Sequence, residues 1–263
     1  MVDLSKCGFA GSYDTNFCDS IVDSFYSPAL SNSVSYDRQS GYFTSSSLAV
    51  AAEGIMGLIN NDGTMRLLTS PVISEEDLDL LKQITNDPDK LTGELSKIIE
   101  KEFDEDFIRN ESTEALGWML LHNKLEIRLI LVEEDGKIIP SEIVDKYGIF
   151  HNKIGIFKDD SGNIVSFSGS INETYRGLVK NIESFEVFCS WKAGSEEHIQ
   201  PHVKRFEDYW NLGKTGRSIT VDFPEAIKKK WISSVPDKKE DLMLFKKIVK
   251  GIRIRDYQNE AID

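Results

Sequence analysis

The order of apolar and polar residues predicts four helical segments: 16–26, 45–59, 75–121 and 196–211. In the first segment, apolar residues recur every three or four positions, and Pro28 is expected to mark the end of that helix. The third segment is charged and interrupted at Pro88 and near Arg109. It is therefore expected to be an insertion of helices rather than a repeat.

Extended patterns lie between these helices and predict six strands: 35–44, 65–68, 125–132, 149–157, 164–168 and 183–190. The turn-forming residues 159–163 would join two of these strands in a hairpin, and residues 60–63 form another strong turn. Because residues two apart on a strand point the same way, His151 and Lys153 are expected on one face. Strands that alternate with helices predict an α/β fold, a mixed sheet flanked by helices.

The composition excludes several classes of protein. With 263 residues, 40% hydrophobic and 29% charged, the chain has material for one domain, or one domain with an appendage, and is not of the disordered class. No apolar run approaches the ~18 residues of a membrane helix, and the first residues lack a signal peptide's pattern. Cys7, Cys18 and Cys189 lack C-x-x-C spacing, which argues against a disulfide framework and a zinc site. We therefore expect a reduced, cytoplasmic protein.

Charge is distributed unevenly along the chain. The net charge is -13, yet residues 214–255 carry twelve Lys or Arg against five Asp or Glu. The first 213 residues hold about -17, so an acidic body precedes a basic segment. Binding of a polyanion depends on local patches, and the bulk charge therefore does not exclude nucleic acid as substrate.

Candidate chemistry is concentrated in two neighbouring strands. His151 and Lys153 lie on the first, and the second ends in Gly169-Ser170-x-Asn172. A glycine lets the backbone approach a ligand closely, serine and asparagine offer neutral donors, and lysine offers a point cation. Together these groups suit the oxygens of a phosphodiester, with histidine as the attacking residue.

The pattern His-x-Lys, a hairpin, then Gly-Ser-x-Asn resembles the signature of the phospholipase D superfamily. The resemblance implies a phospholipase-D-like lobe in which His151 is the nucleophile. It also implies that Lys153, Ser170 and Asn172, with Gly169, hold the phosphate, and that no metal or other cofactor is needed.

A further likeness follows downstream of this motif. Residues 180–183 read Lys-Asn-Ile-Glu and resemble the Asn-x-Glu segment of the small bacterial nucleases of the superfamily. The resemblance implies that Glu183 hydrogen-bonds His151 and orients it. The chemical need is clear, because a histidine that attacks through one nitrogen must keep its proton on the other.

The sequence departs from the family pattern at one position. The family has His-x-Lys-x4-Asp, whereas Lys158 occupies the aspartate position and aspartates follow at 159 and 160. The family's aspartate is mostly a supporting residue. Its absence from position 158 therefore puts the structural support of the site in doubt more than the chemistry of the site. The superfamily also builds one active site from two lobes, and this chain has one motif. A homodimer that shares one active site is therefore expected.

Other histidines require a separate interpretation. His122-Asn123-Lys124 repeats the His-x-Lys spelling, but no Gly-Ser-x-Asn follows, so we interpret it as a helix end that enters a strand. His198 and His202 are spaced i, i+4 as in a metal pair. With Pro201 between them and no cysteine ligands nearby, a solvated helix face is the preferred interpretation.

Two further clusters could contact nucleic acid but are more typical of structure. The aromatic cluster of Phe206, Tyr209 and Trp210 is expected in the core rather than stacked on bases. Lysines 228–230 are expected on a solvated helix face, with phosphate contact as the alternative.

The C-terminal segment supplies a second resemblance. Residues 255–258, Arg-Asp-Tyr-Gln, resemble the segment just before the ATP-binding core of superfamily-two helicases. Residues 167–174 and 184–188 resemble phospholipase-D-like domains fused in front of DEAD/DEAH-box helicases. We accordingly expect a phospholipase-D-like domain at 1–213 with its helical insertion at about 75–121, a basic helical linker at 214–250 and the start of a helicase at 251–263.

These resemblances lead to an expected function and two alternatives. We expect a metal-independent endonuclease that cleaves DNA through a phosphohistidine, as the nuclease part of a helicase-nuclease in restriction or phage defence. The first alternative is a non-catalytic module that serves a helicase through dimerisation or DNA binding. A lipid phosphodiesterase ranks last, because the chain shows no amphipathic membrane helix.

Overall fold

The computed structural model describes residues 1–41, 52–71, 88–100, 111–134, 137–138, 153–170 and 183–249. Ten strands form one sheet: β1 (Ser12–Asp14), β2 (Ser35–Ser40), β3 (Thr64–Thr69), β4 (Leu125–Glu134), β5 (Lys137–Ile138), β6 (Ile154–Lys158), β7 (Ile164–Gly169), β8 (Ser184–Cys189), β9 (Gly213–Thr215) and β10 (Ser218–Asp222). All six predicted strands have a counterpart among them. Of the predicted strand at 149–157, residues 149–152 lie outside the described part.

The strand order makes the sheet mixed. It runs β1-β8-β7-β6-β2-β3-β4-β10-β9, with β5 paired to β4. Strands β2, β3 and β4 are parallel neighbours, and every other pairing is antiparallel. The predicted turn at 159–163 joins β6 and β7 as a hairpin. The expected fold class, a mixed sheet flanked by helices, is confirmed.

Seven α-helices surround the sheet in the described residues: α1 (Ser27–Ser31), α2 (Ala52–Asn60), α3 (Pro88–Glu100), α4 (Glu111–Leu121), α5 (Glu196–Trp210), α6 (Glu225–Ile232) and α7 (Met243–Val249). Helices α3 and α4 account for part of the predicted insertion. Helix α3 begins at Pro88, a position that suits proline because the missing N–H is not needed in the first turn. The rest of the predicted insertion, 75–87 and 101–110, lies outside the described residues.

The two faces of the sheet pack against different helices. On one side, which we call the core face, Tyr36, Phe157 and Phe167 join the main apolar cluster with side chains of α1, α2, α4, α6 and α7. On the other side, the α5 face, Ile154 and Ile156 pack in a smaller cluster with aromatic residues of α5. Alternate residues of one strand serve opposite faces, so the central strands are buried on both sides.

The first helix differs from its prediction. It begins at Ile21 rather than residue 16, and it continues through Pro28 to Ser31. A π-helical turn, Val22–Tyr26, directly precedes α1. Proline lacks the N–H that a regular helix would bond to the fourth residue before it, and a local π turn is a usual way for a helix to absorb such a defect.

The segment 214–250 also differs from the expected helical linker. Its first part forms β9 and β10, and β10 pairs with β4 in the main sheet. Side chains from α6 and α7, including Trp231 and Leu244, are buried in the main cluster. The alternation in Ser218–Asp222 gives β10 its strand character, which the high charge of the whole segment obscured. The expected boundary at 213 therefore falls within the sheet, and 251–263 lies outside the described residues.

Candidate active site

The predicted site residues that the structure describes lie at one end of the sheet. There β2 ends at Ser40 and β7 ends at Gly169, while the antiparallel strands β6 and β8 begin. We call this the site end. Lys153 immediately precedes β6, and Ser170 and Glu183 flank the ends of β7 and β8. Two predicted residues, His151 and Asn172, lie outside the described residues.

Lys153 is almost completely buried at the site end, with 2% of its surface exposed. Burial lowers the pKa of its amine, and the positive charge of Arg38 lowers it further, to about 8, while Glu183 acts in the opposite direction. A charged amine is costly to remove from water, so a buried lysine is uncommon away from functional sites. The structure therefore gives Lys153 an environment unlike that of a surface lysine.

Arg38 is a site residue that the sequence analysis missed. Its side chain is fully buried, and its guanidinium lies over the ring of Phe167, 5.1 Å from the centroid. In β2 it pairs with Gly155 of β6, two residues after Lys153. The available signal was its position in β2, because Tyr36, Arg38 and Ser40 alternate onto one face of a strand flanked by buried strands.

Gly169 has a packing role at the site end. A Cβ at this position would lie 2.3 Å from the carbonyl oxygen of Ser184 and 2.5 Å from Cα of Phe185. Both contacts are with backbone atoms, which cannot move aside cheaply. Glycine is therefore required for β7 to lie against β8, apart from any contact with a ligand.

Ser170 is exposed and tied to the neighbouring strand. Its N–H donates to the carbonyl oxygen of Ser184 at 3.1 Å. Its hydroxyl accepts from the N–H of Ser184 at 3.2 Å and donates to the carbonyl oxygen of Ser184 at 3.3 Å. These contacts fix the position of Ser170 against β8.

Glu183 is held at the site end by the N-terminal segment. Its N–H donates to Oγ1 of Thr15 at 2.8 Å, and its carbonyl oxygen accepts from the N–H of Thr15 at 2.9 Å. The carboxylate acts on Lys153, whose pKa it raises. The predicted contact of Glu183 with His151 lies outside the described residues.

A buried aspartate lies one position after the one that the family pattern specifies. Lys158 ends β6, whereas Asp159 is 5% exposed and accepts backbone hydrogen bonds from Leu4 at 2.9 Å and from Ser161 at 2.9 Å. Its carboxylate also accepts from the N–H of Asn163 at 2.8 Å. Asp159 thus joins the β6–β7 hairpin to the N-terminus, a supporting role away from the site end.

The remaining histidines are structural in the described residues. His122 follows α4 and precedes β4, as expected for a helix end that enters a strand, and its ring lies against that of Trp118 with the centroids 4.1 Å apart. His202 corrects the expectation of a solvated face, because it is 8% exposed and its Nδ1 lies 3.0 Å from Oγ of Ser166. Helix α5 turns His202 toward the sheet, so burial, ahead of the charge of Arg205, lowers its pKa to about 4.

No metal-binding group was found in the described part of the chain, where no three His, Cys, Asp or Glu side chains lie close enough together to hold an ion. His198 stacks on Phe188 with ring centroids 4.3 Å apart. The i, i+4 pair with His202 is thus used for packing against β8.

The two other clusters also have structural roles. Phe206 and Trp210 are buried on the α5 face, as expected for core residues. Nζ of Lys228 lies 3.9 Å from Oε1 of Glu225, and Nζ of Lys230 lies 3.0 Å from Oε1 of Glu100. Part of the basic segment is therefore paired with acidic residues. None of the described helices is both long and apolar enough to cross a membrane.

No protein-family model and no curated protein matches the sequence. Among solved structures, the chain is similar to NucT from Helicobacter pylori, with 12% identity over 74% of this chain and 94% of that chain and a TM-score of 0.44. It is also similar to Nuc, a phospholipase D family member from Salmonella typhimurium, with 12% identity over 80% and 96% and a TM-score of 0.43. The chain is also similar to a phosphatidylserine synthase from Haemophilus influenzae, with 11% identity over 92% of this chain and 47% of that chain and a TM-score of 0.42. All three similarities are distant.

Proposed function

We propose that the chain is a metal-independent phosphodiesterase that cleaves DNA at the site end. The observation that carries this proposal is the burial of Lys153 beside Arg38, at the end of the sheet where β7 ends at Gly169 and Ser170 follows it. Two cations in a largely dehydrated place favour an anionic ligand, and a phosphodiester is the anion that the His-x-Lys and Gly-Ser-x-Asn motifs suit.

The proposed reaction has two steps that balance. In the first, the neutral nitrogen of His151 attacks phosphorus, an N–P bond forms and the bond to the leaving oxygen breaks. A protonated histidine gives its proton to that oxygen. In the second step, water attacks phosphorus and the N–P bond breaks. The proton of the water returns to the second histidine, so both histidines end as they began.

The second histidine is proposed to come from a second copy of the chain. The chain has one His-x-Lys with its Gly-Ser-x-Asn, and His122, His198 and His202 have structural contacts. A two-fold axis brings identical surfaces together, so His151 of the partner subunit could serve as the acid. Light scattering at micromolar concentration should give twice the 29.8 kDa of one chain.

DNA as the substrate and service to a helicase in restriction or phage defence are proposed from the sequence resemblances alone. The non-catalytic alternative keeps one observation in its favour, because the hydroxyl of Ser170 is already bonded to the backbone of Ser184. A serine that served only to close the loop would make the same contacts. A DNA-binding or dimerisation module would bind DNA or dimerise equally well without His151.

Cleavage assays with variants test the proposal. Labelled single- and double-stranded DNA is incubated with excess EDTA and the wild-type chain, His151→Ala or His122→Ala. We expect the wild type and His122→Ala to cleave and His151→Ala to lose at least ~100-fold in rate, the scale expected when a group acting on the transition state is removed. Full activity of His151→Ala, or cleavage that needs added magnesium, would contradict the proposal.

A further inference from the structure

Two basic side chains, Arg38 and Lys153, lie next to each other inside the sheet. They are 0% and 2% exposed. Arg38 pairs with Gly155 across β2 and β6, and Lys153 lies two residues before Gly155. Arg38 and Lys153 are therefore diagonal neighbours on the core face, at roughly 7–8 Å between Cα atoms, which two long side chains can bridge.

The position of Arg38 is built into the packing. Its guanidinium lies 5.1 Å from the ring centre of Phe167, which is itself fully buried. Phe167 has room because the opposite residue is Gly155, where a Cβ would lie 2.0 Å from Cε1 of the ring. An arginine does not lose its proton in proteins, so this arrangement fixes a permanent positive charge near Lys153.

Lys153 differs from Arg38 because its amine can lose a proton. Two charged groups of the described residues act on it: Arg38 from β2, which favours loss of the proton, and Glu183 next to β8, which favours keeping it. Burial is the largest cause of the low pKa of Lys153, about 8, and the charge of Arg38 adds to it. An anion placed beside the amine would act in the same direction as Glu183.

We propose that Arg38 is a positioning residue that makes the proton on Lys153 depend on an anion in the site. When the site is empty, burial and the fixed charge of Arg38 favour the neutral amine above about pH 8. When an oxyanion enters, Nζ of Lys153 takes one proton from solvent and no other bond changes. The site would thus gain its second cation together with its ligand. That the anion is a substrate phosphate rests on the proposed function, whereas the coupling itself does not.

Proton uptake on binding of sulfate tests this coupling without any need for activity. Sulfate does not titrate near pH 8, so calorimetry of the full chain in buffers of different ionisation enthalpy counts protons taken up by the protein. We expect uptake of more than about half a proton at about pH 8.5 and close to none at about pH 6.5. Sulfate that binds without proton uptake at the higher pH, or no sulfate binding at all, would overturn the proposal.

The variant Arg38→Met tests the contribution of the Arg38 charge to proton uptake. With that charge removed, Lys153 holds a larger share of its proton at about pH 8.5, so proton uptake should fall well below that of the wild type and sulfate should bind roughly three- to tenfold more weakly. The matched control is Arg66→Met on the neighbouring strand β3. Arg66 also lies over an aromatic ring, 4.8 Å from the ring centre of Phe206. The variant Arg66→Met is expected to leave proton uptake unchanged.

Titration of Lys153 by NMR gives a second measurement, with the lysine signal assigned from a Lys153→Arg spectrum. We expect a midpoint near the pKa of about 8 in the wild type and an upward shift in sulfate. Arg38→Met should raise the midpoint by roughly 0.5–1.5 pH units, the effect of a charge at this separation. An unchanged midpoint in Arg38→Met would refute the role of Arg38. If Arg38→Met does not fold, the wild type alone still tests the proposal: a Lys153 midpoint that sulfate does not change would refute the coupling.

Discussion

Arg38 and Arg66 lie on neighbouring strands of the same sheet, and each places its guanidinium over an aromatic ring. Arg66, on the α5 face, donates to both carboxylate oxygens of Asp37 at 2.7 and 2.8 Å and also bonds Glu207. Burial would lower the pKa of Arg66, but these hydrogen bonds outweigh it and raise the pKa. Arg38, on the core face, acts instead on a buried lysine, whose pKa is lowered.

The difference between these two regions separates stability from function. Around Arg66, opposite charges stabilise the ionised form of one another, and this ion-pair network holds α5 to the sheet. Around Arg38, one cation makes the neighbouring cation less favourable, which costs stability. Proteins tolerate such a cost where a ligand makes use of it, and the site end is the place where the motif residues converge.

The largest expected effect is that of Lys153→Met. Removal of the cation should reduce DNA cleavage by about 100- to 1,000-fold. It should also stabilise the fold at pH 7 by up to about 3 kcal/mol, because the amine is charged there in both states and its pKa falls from 10.5 to about 8 on folding. Urea unfolding and cleavage rates measure the two effects. A variant that is less stable than the wild type at pH 7 would contradict the stated cost of Lys153.

The same shift fixes the pH dependence of the wild type. The unfolded chain binds the proton of Lys153 more tightly than the folded chain, so this group lowers stability below about pH 8. That cost should disappear as the pH rises from about 8 towards 10.5, and Lys153→Met should lack this rise.

Arg66→Met should have the opposite pattern to Lys153→Met. Asp37 is 5% exposed and would lose its cation, which should lower the free energy of unfolding by about 2–4 kcal/mol. DNA cleavage should stay within about twofold of the wild type at a temperature where the variant is folded, because Arg66 lies on the other face of the sheet. Loss of cleavage in the folded variant would remove the proposed division between the two faces.

Much of the site region could be predicted from the sequence because its signals are local. The hairpin residues 159–163 and the alternating strands on either side specify β6 and β7, and the motifs lie at their ends. The strand position of Arg38 indicates its face of the sheet but not its burial, since an arginine in a strand is usually exposed. Its burial depends on the space that Gly155 leaves across the sheet for Phe167. Such pairings between distant parts of the chain are set by register, which a local pattern does not contain.

The errors outside the site have the same cause. The expected linker was inferred from the charge of 214–250, whereas β10 pairs with β4 through the five alternating residues Ser218–Asp222. The i, i+4 spacing of His198 and His202 did not show which side of α5 would face the sheet. Buried His202 depends on the contact with Ser166 of β7, a partner 36 residues away.

Gly155→Ala sharpens the comparison by moving Phe167 without changing any charge. The new Cβ would lie 2.0 Å from the ring, which should lower the free energy of unfolding by about 1–3 kcal/mol and disturb the position of Arg38. The control is Gly93→Ala in α3, where no atom lies within 4 Å and a gain of about 0.5–1 kcal/mol is expected. Equal stability changes in the two variants would show that the Gly155–Phe167 contact is not tight.

A pH-dependent effect on stability is expected from His202 on the α5 face. Its folded pKa of about 4 lies below the ordinary 6.5, so the unfolded state binds its proton more tightly and stability falls as the pH drops from about 6.5 to 4. The loss should reach about 2–3 kcal/mol, and His202→Gln should lack it. His198→Gln, which alters the exposed histidine of the same helix, is the control. A pH dependence that survives in His202→Gln would assign it to other groups.

The covalent intermediate tests the central claim most directly. A short DNA is mixed with the wild type in EDTA, quenched in alkali and digested with trypsin, which should release residues 147–153 with His151 inside. This peptide should carry the phosphoryl-linked DNA fragment in the wild type. In Lys153→Met the tryptic cleavage point at 153 is lost, so the matching peptide covers residues 147–158, and it should carry much less of the fragment. A wild type that cleaves the DNA while the adduct forms on another residue, or not at all, would contradict the account.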